Sequence, residues 1–142
     1  MCVCNGLWWQ RVPDRHEAID LALRRNANKY SRDQWNTCKV PVRAIYGGTV
    51  LHIDDPYGGY VVKIITPNPG GPVFSVYYQH LCKRLVADGV DVPAGYPIGY
   101  VGRSGLGAQG GVHLHINSEP MPESCLMNFE SWYPALNPDE AL

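Results

Sequence analysis

Gly59-Tyr60-Val61-Val62-Lys63-Ile64-Ile65-Thr66 is a run rich in β-branched residues, closed on one side by glycines and on the other by the Pro/Gly turn at residues 67–72. A run of this length with these flanks reads as a strand rather than a helix. Upstream, residues 40–46 and 49–54 flank Gly47-Gly48, which predicts a hairpin. Downstream, residues 73–81, 98–102 and 112–117 are further strand-like segments, and a Gly-rich loop at 103–111 separates the last two. Fifteen glycines and twelve prolines supply the turns such an architecture needs. The pattern predicts a mainly β fold built on one antiparallel sheet.

The chain has 142 residues, enough for one domain with a real core and too few for two comfortable ones. Residues 1–15 form a lead-in carrying Trp8 and Trp9, residues 16–39 are polar and mixed, and residues 118–142 form a Pro-containing tail. The formal net charge is -1 and no basic run appears, so nucleic-acid binding by phosphate neutralisation is not expected. No apolar run is long enough to span a bilayer. The start, Met1-Cys2-Val3-Cys4-Asn5-Gly6, lacks a charged n-region and a sustained apolar h-region, so no signal peptide is expected there. The five cysteines, Cys2, Cys4, Cys38, Cys82 and Cys125, are odd in number and irregular in spacing. They predict mostly reduced packing residues, with room for one or two disulfides.

Alternate residues of a strand share a face, so His113 and His115 point the same way, roughly 7 Å apart, while Leu114 and Ile116 face the core. The same count puts Phe74, Val76, Tyr78 and His80 on one face. Zinc takes neutral imidazoles and carboxylates, and a catalytic site keeps one position open for water. His16-x-x-x-Asp20 and His113-x-His115 offer such donors, but each pair taken alone also reads as satisfied structural histidines. His16-Glu17-x-x-Asp20 resembles the opening of a zincin helix, yet the second ligand position holds Asp and no third histidine follows nearby. His52 has no ligand-spaced partner and reads as structural. The loop from Gly102 to Gly107 lacks the ending of a phosphate loop, and no nucleophile-elbow pattern surrounds Ser104.

The order of the pieces decides between these readings. His16-x-x-x-Asp20 is followed by Pro-Val-x-Ala-x-x-Gly-Gly-x-Val at 41–50, Tyr-Gly-Gly-Tyr-Val-Val-x-Ile at 57–64 and Tyr-x-His-Leu at 78–81. Next come the spaced glycines and valines of 86–105, ending in Val-Gly-x-Ser-Gly, and then His-Leu-His-Ile at 113–116. Over residues 16–117 this series resembles the lysostaphin/LytM-type zinc endopeptidases of bacterial cell walls.

The resemblance implies a single peptidase domain of the lysostaphin-like, duplicated-hybrid-motif type, with 1–15 as lead-in, 16–117 as catalytic core and 118–142 as tail. It implies a groove over the sheet, walled by residues 66–73, 103–111 and the segment between Asp20 and Pro41. It implies zinc held by His16, Asp20 and His115, with His80 and His113 as the catalytic pair. Of these two, the resemblance does not say which takes the proton of water and which steadies the oxyanion. The substrate it implies is an extended peptide from peptidoglycan stems or cross-bridges, cleaved at the cell wall from a periplasmic, extracellular or virion-associated position. A bacteriophage setting, in lysis or as part of a virion, suits such an enzyme. A non-catalytic peptidoglycan-binding or structural module that retains the site is the alternative. The sequence departs from the family pattern in the longer polar segment after Asp20, in the lack of a tyrosine between Trp9 and Arg15, and in Ile116-Asn117 where Phe-Glu is common.

Overall fold

The computed structural model describes residues 31–67 and 73–119 in full and the backbone of 19–21. In chain order the elements are β1 (Ile19–Leu21), α1 (Arg32–Asn36), β2 (Pro41–Arg43), β3 (Gly48–Asp55), β4 (Gly59–Thr66), β5 (Phe74–Arg84), β6 (Asp91–Val92), β7 (Pro97–Val101) and β8 (Leu114–Glu119). A single 3₁₀ turn at Leu106–Ala108 interrupts the loop before β8. All eight strands join one antiparallel sheet that curls on itself, in the order β1-β8-β5-β4-β3-β6, with β7 joining β2 to β5. The mainly β, single-sheet architecture predicted from the strand runs is therefore the one observed.

β5 is the spine. Along one edge it pairs with β4, from Thr66↔Phe74 to Tyr60↔Leu81. Its other edge is shared. The first half pairs with β8, ending at Gln79↔His115, and the second half pairs with β7, beginning at Leu81↔Val101. His80 lies where one partner leaves and the next arrives. The core packs on one side of this spine, with Val76, Tyr78, Leu81, Ile64, Ile98, Leu114 and Ile116 all essentially inaccessible to solvent. Each such side chain contributes about 1.5–3 kcal/mol of transfer free energy on burial. The Tyr78 hydroxyl, buried with its ring, accepts the Ile45 amide hydrogen at 2.8 Å, and burial pushes its pKa well above the ordinary tyrosine range.

One expectation changes. Gly47-Gly48 does not close a hairpin, because β2 pairs with β7 while β3 pairs with β4 and β6. Gly48 is needed for close approach: a Cβ there would run into the backbone of Ile65 on β4. The hairpin is instead β3–β4, turned through Pro56, Tyr57 and Gly58, where the Asp55 carboxylate accepts the amides of Tyr57 and Gly58 at 2.9 and 2.6 Å. The described part of the polar insertion is tied into the core. The capping box of α1, Ser31 with Gln34, sets its start. Trp35 on its inner face is only 3% exposed. Cys38 and Cys82 form a disulfide, within the one or two for which the cysteine count leaves room, with their Cα atoms 5.9 Å apart. Among the described residues no helix is long and apolar enough to cross a membrane.

Candidate active site

His113 and His115 come from the start of β8. Leu114 and Ile116 between and beyond them are fully buried, so the alternation read from the sequence holds. Gly102 bridges to His113. The His113 ring is steadied by Gly111, whose carbonyl lies 3.1 Å from Nδ1. Behind this turn, the Trp35 indole N–H donates to the Val112 carbonyl at 3.2 Å, so α1 props the entry to β8.

His80 reaches the same place by a different route. Strict alternation along β5 would put it on the core face with Val76 and Tyr78, as the sequence count predicts. It is not there. Between the pairs Val62↔Tyr78 and Tyr60↔Leu81, β5 spends one residue more than β4, which is a bulge. His80 has φ 66°, the left-handed region, one of two non-glycine residues with positive φ among those described. Its amide turns away to donate to the Gly58 carbonyl at 2.7 Å. Its ring then packs against His113, with centroids 4.6 Å apart, and edge-on to His115 at 5.9 Å. His80 is 4% exposed, so the ring is nearly buried. Its Nδ1 lies 2.8 Å from the Ser104 carbonyl. A carbonyl oxygen only accepts, so Nδ1 carries the proton in both His80 and His113, and in each neutral ring Nε2 keeps its lone pair.

The wall beside His80 is the loop before β8 docked on the β3–β4 turn. Leu106 and Gly107 amides donate to the Pro56 and Tyr57 carbonyls, each at 2.9 Å. A Cβ on Gly107 would lie 3.0 Å from Cε1 of His80, so the wall is made of backbone where it meets the imidazole. An open cleft of about 430 Å³ continues past this wall, lined by Asp54, Asp55, Pro56, Gly59, Tyr60, Ser104 and Gly105.

Asp20 lies opposite His115 in the β1–β8 ladder, and such partners lie on one face of a sheet. The polar stretch after His16 hid this strand from sequence reading. His16 is outside the described residues. Among the described residues alone, no three His, Cys, Asp or Glu groups are placed to hold a metal. The donor types nevertheless suit zinc: a histidine of β8 and an aspartate of the neighbouring strand occupy paired register positions. A second imidazole four residues before Asp20 would make three protein ligands. His52 has the structural role expected of it, with Nε2 donating to the Val86 carbonyl at 2.7 Å. Ser104 is no nucleophile in this geometry, since its hydroxyl donates to the Leu81 carbonyl at 2.6 Å. Asn117, which stands where Glu is common in the family, accepts from the Gln79 side-chain amide at 2.7 Å.

The catalytic domain of the antimicrobial peptidase lysostaphin from Staphylococcus simulans shares 29% identity, covering 67% of this chain and 73% of its own, with a TM-score of 0.52. Whole lysostaphin from the same organism matches at 24% identity over 74% of this chain and 45% of its own, TM-score 0.51, which speaks to the fold alone. An M23 peptidase structure from Pseudomonas aeruginosa shares 32% identity, with a TM-score of 0.48, over 55% of this chain but only 32% of its own length. The chain thus spans about a third to a half of these two longer relatives. No curated protein matches it. The sequence model of peptidase family M23 matches residues 15–123, well over half of the chain, and the protein belongs to that family.

Proposed function

We propose that the chain is a zinc-dependent endopeptidase that hydrolyses peptide bonds in peptidoglycan stems or cross-bridges. His16, Asp20 and His115 are the proposed metal ligands, and His80 and His113 the proposed acid–base pair. The observation that carries the reading is the meeting of the His80, His113 and His115 imidazoles, with Asp20 the register partner of His115 on the next strand. The bulge and the left-handed backbone that bring His80 there support a chemical role for it. Lysostaphin, an antimicrobial peptidase by name, is the relative whose catalytic domain carries the comparison.

Bound zinc supplies Lewis acidity, polarising the scissile carbonyl and making water easier to deprotonate. The chain's own residues do the rest. One imidazole, its Nδ1 proton held by a backbone carbonyl, accepts the proton of the attacking water at Nε2 and returns it to the leaving amine. The other, when protonated, donates from Nε2 to the oxyanion of the tetrahedral intermediate. The near burial of His80 keeps bulk water from competing for these bonds. The proposed substrate is an extended peptide, and small residues such as Gly or D-Ala suit a narrow, glycine-lined groove. The place of action is the bacterial cell wall, reached from the periplasm, from outside or from a virion.

The test is digestion of purified peptidoglycans of different cross-link types by the zinc-loaded protein, with mass analysis of the fragments. New amino termini at stem or bridge peptides are expected. Binding to the wall without cleavage of any of them would sink the enzyme reading and leave a binding module.

A further inference from the structure

The bulge that delivers His80 also breaks the β4–β5 ladder, and Ser104 mends the break. Its hydroxyl accepts the Tyr60 amide hydrogen at 2.9 Å and donates to the Leu81 carbonyl at 2.6 Å. Tyr60 and Leu81 are register partners, so a side chain from a third segment bridges two backbone groups that face each other across the ladder. The same residue's carbonyl lies 2.8 Å from Nδ1 of His80. Ser104 therefore touches the bulge at both ends, through its side chain at Leu81 and through its backbone at the imidazole.

The surroundings leave Ser104 no other place. Gly59 and Gly105 both have positive φ, 74° and 84°, and a Cβ on either would collide with the other's loop. Two backbones in direct contact hold the Ser104 peptide over the bulge. A hydrogen bond from Nδ1 to that carbonyl selects one tautomer and one ring orientation for His80.

We propose that Ser104 is the positioning residue for His80. The hydroxyl pins the loop to the ladder, and the pinned carbonyl fixes the His80 tautomer so that Nε2 carries the lone pair. This rests on the proposed catalytic role of His80. It does not make Ser104 a catalytic residue, because both of its polar atoms are turned to the protein.

The experiment compares wild type with Ser104→Ala, Ser104→Thr, His80→Ala and the double variant, all zinc-loaded. Initial rates on purified peptidoglycan fragments are combined with the imidazole nitrogen NMR signals of His80 at a pH where it is neutral. Ser104→Ala should lose about 10–10²-fold in kcat, the size expected of a small misplacement, with KM within a few-fold. Ser104→Thr, which keeps the hydroxyl, should recover most of the loss. On the His80→Ala background the serine substitution should cost nothing further, whereas a purely structural role would cost the same in both backgrounds. The wild-type His80 signal should show the Nδ1–H tautomer, a measurement that stands even if Ser104→Ala does not fold. An Nε2–H tautomer in wild type overturns the proposal. So does a Ser104→Ala rate within three-fold of wild type while His80→Ala is inactive, an outcome that leaves the proposed function standing. Full activity in His80→Ala overturns both.

Discussion

The rings of His80 and His113 lie with centroids 4.6 Å apart and planes at 53°, one from the bulge of β5 and the other from the first turn into β8. Each holds its Nδ1 proton on a backbone carbonyl, Ser104 for one and Gly111 for the other. Two imidazoles so placed can share one acid–base task in sequence, one neutral while the other is charged. Replacing either by alanine is expected to leave zinc bound and to cost about 10²–10⁴-fold in cleavage rate. Rates and metal content measured on the same samples check this. Either variant cleaving within a few-fold of wild type removes that residue from the pair.

Metal content gives a separate expectation. The pairing of Asp20 with His115 sets a carboxylate position against an imidazole across two strands. Elemental analysis after mild purification should find about one zinc per chain, with three protein ligands of the catalytic type. His115→Ala should abolish tight binding, and stoichiometric retention by a His16→Ala/His115→Ala double variant would remove the ligand assignment.

Gly105 tests the loop contact by itself. It has φ 84°, and a Cβ there would meet the backbone of Tyr57, Gly58 and Gly59. Gly105→Ala is expected to destabilise by at least about 1–2 kcal/mol from the backbone conformation alone. Activity should fall further than stability does, because the shifted loop takes the Ser104 carbonyl with it. Urea midpoints alongside rates, taken where the variant is still folded, separate the two effects.

The disulfide closes a loop of 44 residues between α1 and β5. Chain entropy for a loop of that length gives about 4 kcal/mol of stabilisation as an upper figure. A Cys38→Ser/Cys82→Ser variant, or the wild type under reductant, should show a thermal midpoint lower by several degrees. An unchanged midpoint under conditions where thiol titration shows both cysteines reduced would mean that the Trp35 packing and the Val112 hydrogen bond hold the segment alone.

Tyr78 gives a pH dependence. Its folded pKa is raised by burial above the ordinary value near 10. The protonated phenol is favoured in the fold, so the stability it contributes is full below about pH 10 and is lost as the pH rises from there. Tyr78→Phe should cost about 1–3 kcal/mol at neutral pH, by leaving the Ile45 amide without its acceptor. It should also flatten the alkaline fall in stability above pH 10. Denaturant midpoints from pH 8 to 11 check both, and an unaltered alkaline slope would show that other groups set it.

The local signals in the sequence were sufficient for much of this. Alternation placed Leu114 and Ile116 in the core and His113 with His115, because β8 is regular over those positions. The β-branched run at 59–66 became β4 without a change of bounds. What escaped was set by distant partners. β1 and β6 are three and two residues long and exist only through the strands they border. The pairing of β2 with β7 is a long-range choice that the adjacent glycines do not encode. The count along β5 puts His80 on the core face, whereas the bulge, at the handover between β8 and β7, turns it to the other and leaves no mark in the spacing of β5. Cys38 and Cys82 could not be matched before α1 was seen to fold back on the core.

The bulge sets stability against activity within a single strand. Before it, the core hydrophobics of β5 are Val76 and Tyr78, and after it the core position falls to Leu81, three residues on from Tyr78 rather than two. Deleting His80 would restore unbroken alternation from Val76 to Leu81 and remove a left-handed residue that costs on the order of 1–3 kcal/mol. The resulting strand would be the more regular one and would need no serine to bridge its ladder. On the proposed role of His80, it would also be inert. Selection for thermal endurance alone would therefore push this strand towards losing its imidazole, and only a continuing demand for turnover keeps the extra residue in place.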